Sequence, residues 1–248
     1  MNQEILDFYK DQVKYAGFGN KLNDTLGELF KNDDDKNVVL NTAIQYGKDE
    51  NSKIVNYDLR FQRSATSNLF FLNNFSAEMK NKNGESVSNT FYLDKAKGIT
   101  AKEAFNLLEG RSVYKELKNK EGEPYNAWVK LNPAIKDEKG NMKFSIFNDN
   151  YGYDLSASFE KVKATGLESS ISKEDILKSL QKGNLVELQT IDKAEKYFVA
   201  ADPQYKSMAA FSEAGEKLFV DNKKNQGISP TEPIAETAPV KTTNGVKR

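Results

Sequence analysis

The sequence contains neither cysteine nor histidine among its 248 residues. Without cysteine there are no disulfides, no thiol nucleophiles and no thiolate metal sites. Without histidine the chain lacks the usual general base near neutral pH and the commonest transition-metal ligand. The two absences together exclude Ser-His-Asp and Cys-His catalysis, zinc fingers and HExxH metalloprotease chemistry.

A net charge of either sign is also missing, because Lys plus Arg and Asp plus Glu each total 36. Proteins dedicated to duplex DNA usually carry a basic excess, since phosphate contacts dominate their affinity. The sequence has no apolar stretch of membrane-spanning length and no signal-peptide pattern at its start. We therefore expect a cytoplasmic protein without a membrane partner.

Hydrophobic residues make up 38% of the chain and aromatic residues 11%, which is enough to build a core. Residues 3–31 predict two short helices that are separated by the helix stop Gly17–Asn20. From about residue 37 to 92 the apolar period changes to two, as in strands with one solvated face. The hairpin turn Asn81–Gly84 joins two of these strands. Residues 1–92 thus predict two helices packed against a small antiparallel sheet.

A helix, a glycine and a β-hairpin then occur twice. In the first copy Thr100 and Glu103 form a capping box, and Gly110 ends the helix. In the second copy Ser172 is the N-cap, and Gly183 ends the helix 73 residues after Gly110 (183 − 110). The shared plan predicts a diverged internal duplication.

The predicted fold class is α+β, with small antiparallel sheets, short helices, a duplicated helix–β-hairpin module and a disordered C-terminal tail. The predicted domains are an N-terminal unit over 1–92 and a pair of modules over 93–221. The modules divide at about 99–165 and 166–221. The tail is predicted over 222–248, where apolar residues become sparse and three prolines occur.

Several short motifs resemble an uncharacterised domain family of mobile and conjugative elements in Bacteroidota, sometimes appended to topoisomerase-like proteins. They are Val13–Gly19, Leu107–Val113, Asn119–Trp128, Asn150–Leu155 and Ala201–Ser207. The resemblance covers roughly residues 10–215. It implies a genomic neighbourhood and no particular activity, and it supplies no catalytic residues.

The only tryptophan, Trp128, is the first candidate for a binding residue. Strand periodicity places it with Lys130 on the polar side of the strand 125–131. There it could stack on a base, with Tyr114 on the neighbouring strand and Arg111 or Lys115 contacting phosphates.

Burial of the same ring is the favoured interpretation of Trp128. A helix over 155–162, which carries Phe159, would cover the polar side of the strand and enclose the indole.

Tyr151 and Tyr153 flank a glycine, a pattern found in ligand-stacking loops and also in turns that lead into a capped helix. Asp154 is a good N-cap, which favours the structural interpretation.

Asp149 and Asp154 are the carboxylate pair in the most distinctive motif, but no third metal ligand accompanies them. We expect no enzymatic activity, no metal and no cofactor.

Lys95, Lys97, Lys118 and Lys120 are predicted as a small basic rim, which interleaved acidic residues weaken. Asp33–Asp35 lacks the spacing of a calcium loop and predicts a solvated turn.

The preferred functional hypothesis is a non-enzymatic protein-binding or adaptor protein of a mobile genetic element. The alternative is a weak nucleic-acid-binding accessory protein that assists DNA processing or conjugation. The oligomeric state is left open.

Overall fold

The structure is a computed structural model that describes residues 3–29, 36–47, 52–94, 97–163, 166–220 and 228–229. In this part of the chain, antiparallel sheets combine with a few short helices, as the α+β prediction expected. The predicted turn at Asp33–Asp35, Lys95 of the basic rim, and the predicted tail, except for residues 228–229, lie outside the described residues.

The first sheet has five strands, ordered as in the chain: β1 (Asn37–Tyr46), β2 (Lys53–Arg63), β3 (Phe70–Lys80), β4 (Ser86–Asp94) and β5 (Lys97–Gly98). Burial alternates along β2, where Val55, Tyr57 and Leu59 face the core. The predicted turn joins β3 to β4, with the Gly84 N–H donating to the Asn81 carbonyl at 3.0 Å.

Two helices and a π-helical turn precede this sheet: α1 (Gln3–Val13), the turn (Lys14–Phe18) and α2 (Asn23–Leu29). Gln12 of α1 completes the ladder of β3 where β4 no longer pairs with it. Its side chain donates to the Phe70 carbonyl at 3.1 Å and accepts from the Leu72 N–H at 2.9 Å. One side chain therefore satisfies two backbone groups that would otherwise lack partners.

The next helix, α3 (Ala101–Leu108), begins with the predicted capping box. The Thr100 hydroxyl accepts from the Glu103 N–H at 3.4 Å, and the Glu103 carboxylate accepts from the Thr100 N–H at 2.9 Å. Gly110 follows with a φ of +76°, which satisfies the predicted helix stop. A three-stranded sheet comes next: β6 (Val113–Lys118), β7 (Pro124–Lys136) and β8 (Met142–Asn148).

The C-terminal unit contains two helices, α4 (Leu155–Lys163) and α5 (Lys173–Gln181). Its six strands are β9 (Leu167–Glu168), β10 (Val186–Thr190), β11 (Lys196–Asp202), β12 (Ser207–Phe211), β13 (Lys217–Val220) and β14 (Ile228–Ser229). They form one sheet in the order β14-β13-β12-β11-β10-β9. Ser172 caps α5 as predicted, because its hydroxyl accepts from the Asp175 N–H at 3.2 Å.

Two hydrophobic cores lie in the described part of the chain. The first combines the helices and inner sheet face of the N-terminal unit with Leu107 of α3 and Val129 of β7. The second joins α4 and α5 to the C-terminal sheet through residues such as Phe159 and Leu180. The first helix–hairpin unit therefore packs with the N-terminal sheet, and its core crosses the boundary predicted between residues 92 and 93.

The two helix–hairpin units also contact each other where their helices end. The Asn106 side chain of α3 donates to the Lys182 carbonyl at 2.7 Å and to Asn184 Oδ1 at 2.9 Å. A methyl group in place of a hydrogen on Gly183 would lie 2.8 Å from the Ser112 carbonyl oxygen. The two units therefore approach each other so closely at Gly183 that a side chain there would require the structure to shift.

Candidate binding surfaces

The β6-β7-β8 sheet carries most of the candidate residues and has two different faces. Val113, Val129 and Leu131 point into the first core. On the other face the strand register places Trp128 between Tyr114 and Phe147. The predicted alternation of β7 is therefore present, and the functional question is what covers the Trp128 face.

Trp128 is buried, with 5% of its surface exposed. Its ring lies 5.3 Å from that of Tyr114, in a tilted arrangement, and 5.5 Å from that of Tyr153, edge to face. The burial agrees with the favoured interpretation of the sequence, but the ring contact comes from Tyr153 in the loop before α4 and not from Phe159, which lies in the second core. A base has no open indole face on which to stack in this fold.

Both candidate lysines on this sheet have acidic partners. Lys115 lies 3.0 Å from the buried carboxylate of Glu103, which also closes the capping box of α3. Lys130 lies 3.7 Å from the buried carboxylate of Asp202 and donates to Gln204 Oε1 at 3.2 Å. Phosphate binding by either lysine would compete with an ion pair that neutralises a buried acid.

The tyrosine pair holds the C-terminal unit against this sheet. The Tyr151 hydroxyl donates to the Gln204 carbonyl at 2.9 Å, and the Lys206 ammonium lies 4.8 Å from the Tyr151 ring. The Tyr153 hydroxyl contacts the Met208 sulfur at 3.7 Å. Burial raises the pKa of Tyr153, and the nearby Asp202 charge adds to the effect. Both rings thus connect the loop before α4 to the segment 202–208.

Arg111 is buried where α3 ends, with its guanidinium carbon 5.2 Å from the Phe105 ring centroid. Its Nε and Nη2 groups have no hydrogen-bond partner among the described residues. Burial lowers the pKa of Arg111 to about 10, and the Glu109 carboxylate opposes that shift. A buried cation with two unbonded donors is costly, and the contact with the Phe105 ring offsets only part of that cost.

The two motif carboxylates take separate structural positions. Asp149 accepts from the Tyr114 hydroxyl at 3.4 Å. Asp154 accepts from the Ala157 N–H at 2.9 Å, which makes it the N-cap of α4 as predicted. No group of three acidic side chains that could hold a metal ion occurs in the described ranges.

Strand β8 has an exposed outer edge and contains none of the site residues that the sequence predicted. In the described structure β8 pairs only with β7. Phe144 and Ile146 project from the same side of β8, where they are 38% and 51% exposed. Their cross-strand partners on β7 are the buried Leu131 and Val129. Sequence periodicity could place these two side chains on one face, but it gave no sign that β8 would be the last strand.

A groove of about 710 Å³ adjoins this exposed edge. Tyr125, Pro124 and Ile146 give it apolar walls, and the side chains around it are of both charges. The charged members are Lys118, Lys120, Glu121, Glu123 and Asp149. The half of the basic rim formed by Lys118 and Lys120 is therefore matched by neighbouring carboxylates.

Comparison with known proteins gives no relatives: no family model, no curated protein and no solved structure matches this chain. Among the described residues, no helix is both long and apolar enough to cross a membrane.

Proposed function

We propose that this protein is a binding module that takes up an extended segment of a partner protein along the edge strand β8. The observation that carries the proposal is the exposure of Phe144 and Ile146 on one side of a strand whose outer edge has no partner in the described structure. An added strand would bond to the β8 backbone, and its alternate side chains would lie beside these two residues.

The groove beside β8 supports the same proposal and indicates the chemistry of the partner. A bulky apolar side chain of the added strand would enter between Tyr125 and Ile146. The mixed charges of the rim give no preference for an anion or a cation. The expected partner segment is therefore extended, with apolar residues at alternate positions and little net charge.

Weak nucleic-acid binding, the alternative function, receives less support from this geometry. It would use Trp128, Lys115 and Lys130, and these are respectively buried, paired with Glu103 and paired with Asp202. An adaptor role in a mobile genetic element is part of our proposal, with the motif resemblance as its basis.

The test is a peptide selection against the purified full chain, which uses a display library of short peptides as the probe. Selected peptides would then be labelled and titrated by fluorescence anisotropy with the wild type, Ile146→Lys and Ile191→Lys. Ile191 is an exposed isoleucine in the turn between β10 and β11, so it is the matched control.

We expect selected peptides with alternating apolar residues, whose binding weakens roughly tenfold or more with Ile146→Lys because a charge replaces apolar contact. Ile191→Lys should leave the affinity unchanged. Equal binding to all three proteins would reject β8 as the site. Salt-sensitive binding of a labelled oligonucleotide, lost when Lys130 becomes Ala, would favour the nucleic-acid alternative.

A further inference from the structure

Strand β1 has an unusual composition for an edge strand. Its ten residues contain no Asp, Glu, Lys, Arg or Pro, although 29% of the chain is charged. At that frequency ten residues would carry about three charges (0.29 × 10). In the described structure β1 pairs only with β2, and its register is unbroken from Asn37 to Tyr46.

Natural proteins protect long edge strands with charges, prolines or bulges, because an open ladder invites pairing with another chain. β1 has none of these features. The edge strand β6, by comparison, carries Lys115, Glu116 and Lys118 within six residues. The absence of these protective features indicates that the edge of β1 pairs with another strand in the functional protein.

We infer that β1 pairs antiparallel with β1 of a second copy of this chain, about a two-fold axis at Asn41. A two-fold axis perpendicular to the sheet keeps both buried faces on the same side. Each residue of β1 must then oppose a residue an even number of positions away, because side chains alternate between the faces. This condition leaves few possible registers.

The register centred on Asn41 matches chemical types along the exposed face. It pairs Asn37 with Gln45, Val39 with Ala43, and Asn41 with its own copy. On the buried face it pairs Val38 with Ile44 and Leu40 with Thr42. Amides thus oppose amides and apolar residues oppose apolar residues, apart from the small Thr42.

A shift of the axis to Thr42 loses this agreement. Val39 would then oppose Gln45, and Asn41 would oppose Ala43. Complementary cross-strand pairs stabilise a sheet, so the Asn41 register is preferred. Registers about Val39 or Ala43 also keep amides opposite amides, but they pair only five or seven residues of β1, against nine about Asn41. A strand that is complementary to itself over almost its whole length fits a second copy better than an unrelated partner.

The neighbours of Asn41 and the charge of the chain support self-association. The Asn41 amide donates to Asp58 Oδ1 at 2.6 Å, so its orientation on the exposed face is fixed. The two Asn41 side chains would meet at the axis between two fixed Asp58 residues. The formal net charge of zero also means that two copies do not repel each other over long range.

The first test measures the mass of the full chain by light scattering across a range of concentrations. We expect a dimer at twice 27.9 kDa. Asn41→Lys replaces the two small amides at the axis with longer ammonium side chains, whose mutual repulsion the neighbouring Asp58 carboxylates screen only in part. We expect the dimer dissociation constant to rise roughly tenfold or more. Asn56→Lys, exposed on the internal strand β2, is the control and should remain dimeric.

A second test uses the absence of native cysteine. Facing residues in an antiparallel pair have Cα atoms about 4.5 to 5.5 Å apart, which a disulfide can bridge. Oxidised Asn41→Cys should therefore give a covalent dimer on a non-reducing gel, and Asn56→Cys should not. A monomer at every concentration, or a dimer that survives Asn41→Lys and leaves Asn41→Cys uncrosslinked, would overturn the inference. Ile146→Lys should leave the dimer intact, so this test is separate from that of the peptide site.

Discussion

The Asn106 side chain donates to the backbone carbonyl of Lys182 at 2.7 Å, which joins the end of α3 to the end of α5. The same amide nitrogen reaches Asn184 Oδ1 at 2.9 Å. Asn106 is fully buried, so both bonds are shielded from water. Asn106 therefore makes a direct and buried polar contact between the two helix–hairpin units.

Replacing Asn106 with Ala should lower the free energy of unfolding by about 1–3 kcal/mol, because the Lys182 carbonyl loses its donor inside the protein. Urea unfolding followed by circular dichroism measures the change. Asn56→Ala, an exposed asparagine on β2, is the control and should stay within about 0.5 kcal/mol of the wild type. A loss for Asn106→Ala no larger than the control's would mean that the units do not depend on this contact.

Gly110 and Gly183 both follow a helix, but a positive φ is the only requirement for glycine at Gly110, whereas Gly183 also lacks space for a side chain. Their φ angles are +76° and +75°, so alanine is strained by about 1 kcal/mol at both positions. A Cβ on Gly110 has no neighbour within 4 Å, whereas one on Gly183 lies 2.8 Å from the Ser112 oxygen. Gly183→Ala should therefore destabilise by about 1–3 kcal/mol more than Gly110→Ala. Equal thermal shifts for the two variants would argue against the close approach of the units.

The helix boundaries and turns of this chain could be predicted from sequence because each is encoded by neighbouring residues. Thr100 with Glu103, Ser172, and the glycines after both helices form the predicted caps and stops. Burial of Trp128 was the favoured interpretation, but the residue that encloses the ring could not be predicted in the same way. Strand periodicity identifies the side chains that share a face with Trp128, but Tyr153 covers that face from a different part of the chain.

Edges of sheets were missed for the same physical reason. A strand sequence carries no local signal that says whether a neighbour will pair with each side. The strand order places β8 and β1 at the ends of their sheets, and that order is set by pairing between distant parts of the chain. The lack of charge in β1 is informative only because β1 is an edge strand, since an internal strand needs no charges to prevent pairing with another chain.

Trp128 gives a direct optical test of its burial because it is the only tryptophan. We expect a blue-shifted emission maximum, weak quenching by iodide, and a red shift on unfolding. Trp128→Ala should cost about 3–5 kcal/mol, as for other large buried side chains. Tyr205→Ala, at an exposed ring, is the control. Strong iodide quenching of the folded protein would restore the base-stacking hypothesis.

Arg111→Met should leave the free energy of unfolding unchanged or raise it, because the guanidinium has two buried donors without partners. Lys115→Met is the opposite case. It removes the ammonium group that lies 3.0 Å from the buried Glu103, so we expect a loss of about 1–3 kcal/mol. Chemical denaturation of both variants gives the comparison. A large loss for Arg111→Met alone would show that Arg111 has a stabilising partner.

Lys102 should make the protein more stable as the pH rises above 8. Although Lys102 keeps an exposed surface, its ammonium group lies over the Tyr46 and Phe105 rings. Desolvation there and the nearby charge of Arg111 lower the pKa of Lys102 from 10.5 to about 8, and Glu109 opposes the shift. Between these two values the unfolded state binds more protons than the folded state, so the free energy of unfolding increases with pH.

Urea unfolding at pH 8 and at about 9.5 stays below the usual tyrosine pKa, which keeps small the contribution of the tyrosines whose pKa values are raised. These tyrosines are Tyr46, Tyr57, Tyr114, Tyr153 and Tyr197. The rise in stability should be smaller in Lys102→Met, which has no group to titrate. It should also shrink in Arg111→Met, because removal of the neighbouring cation returns the pKa of Lys102 towards its ordinary value. A rise of equal size in all three proteins would assign the effect to other groups and remove the link between Lys102 and Arg111.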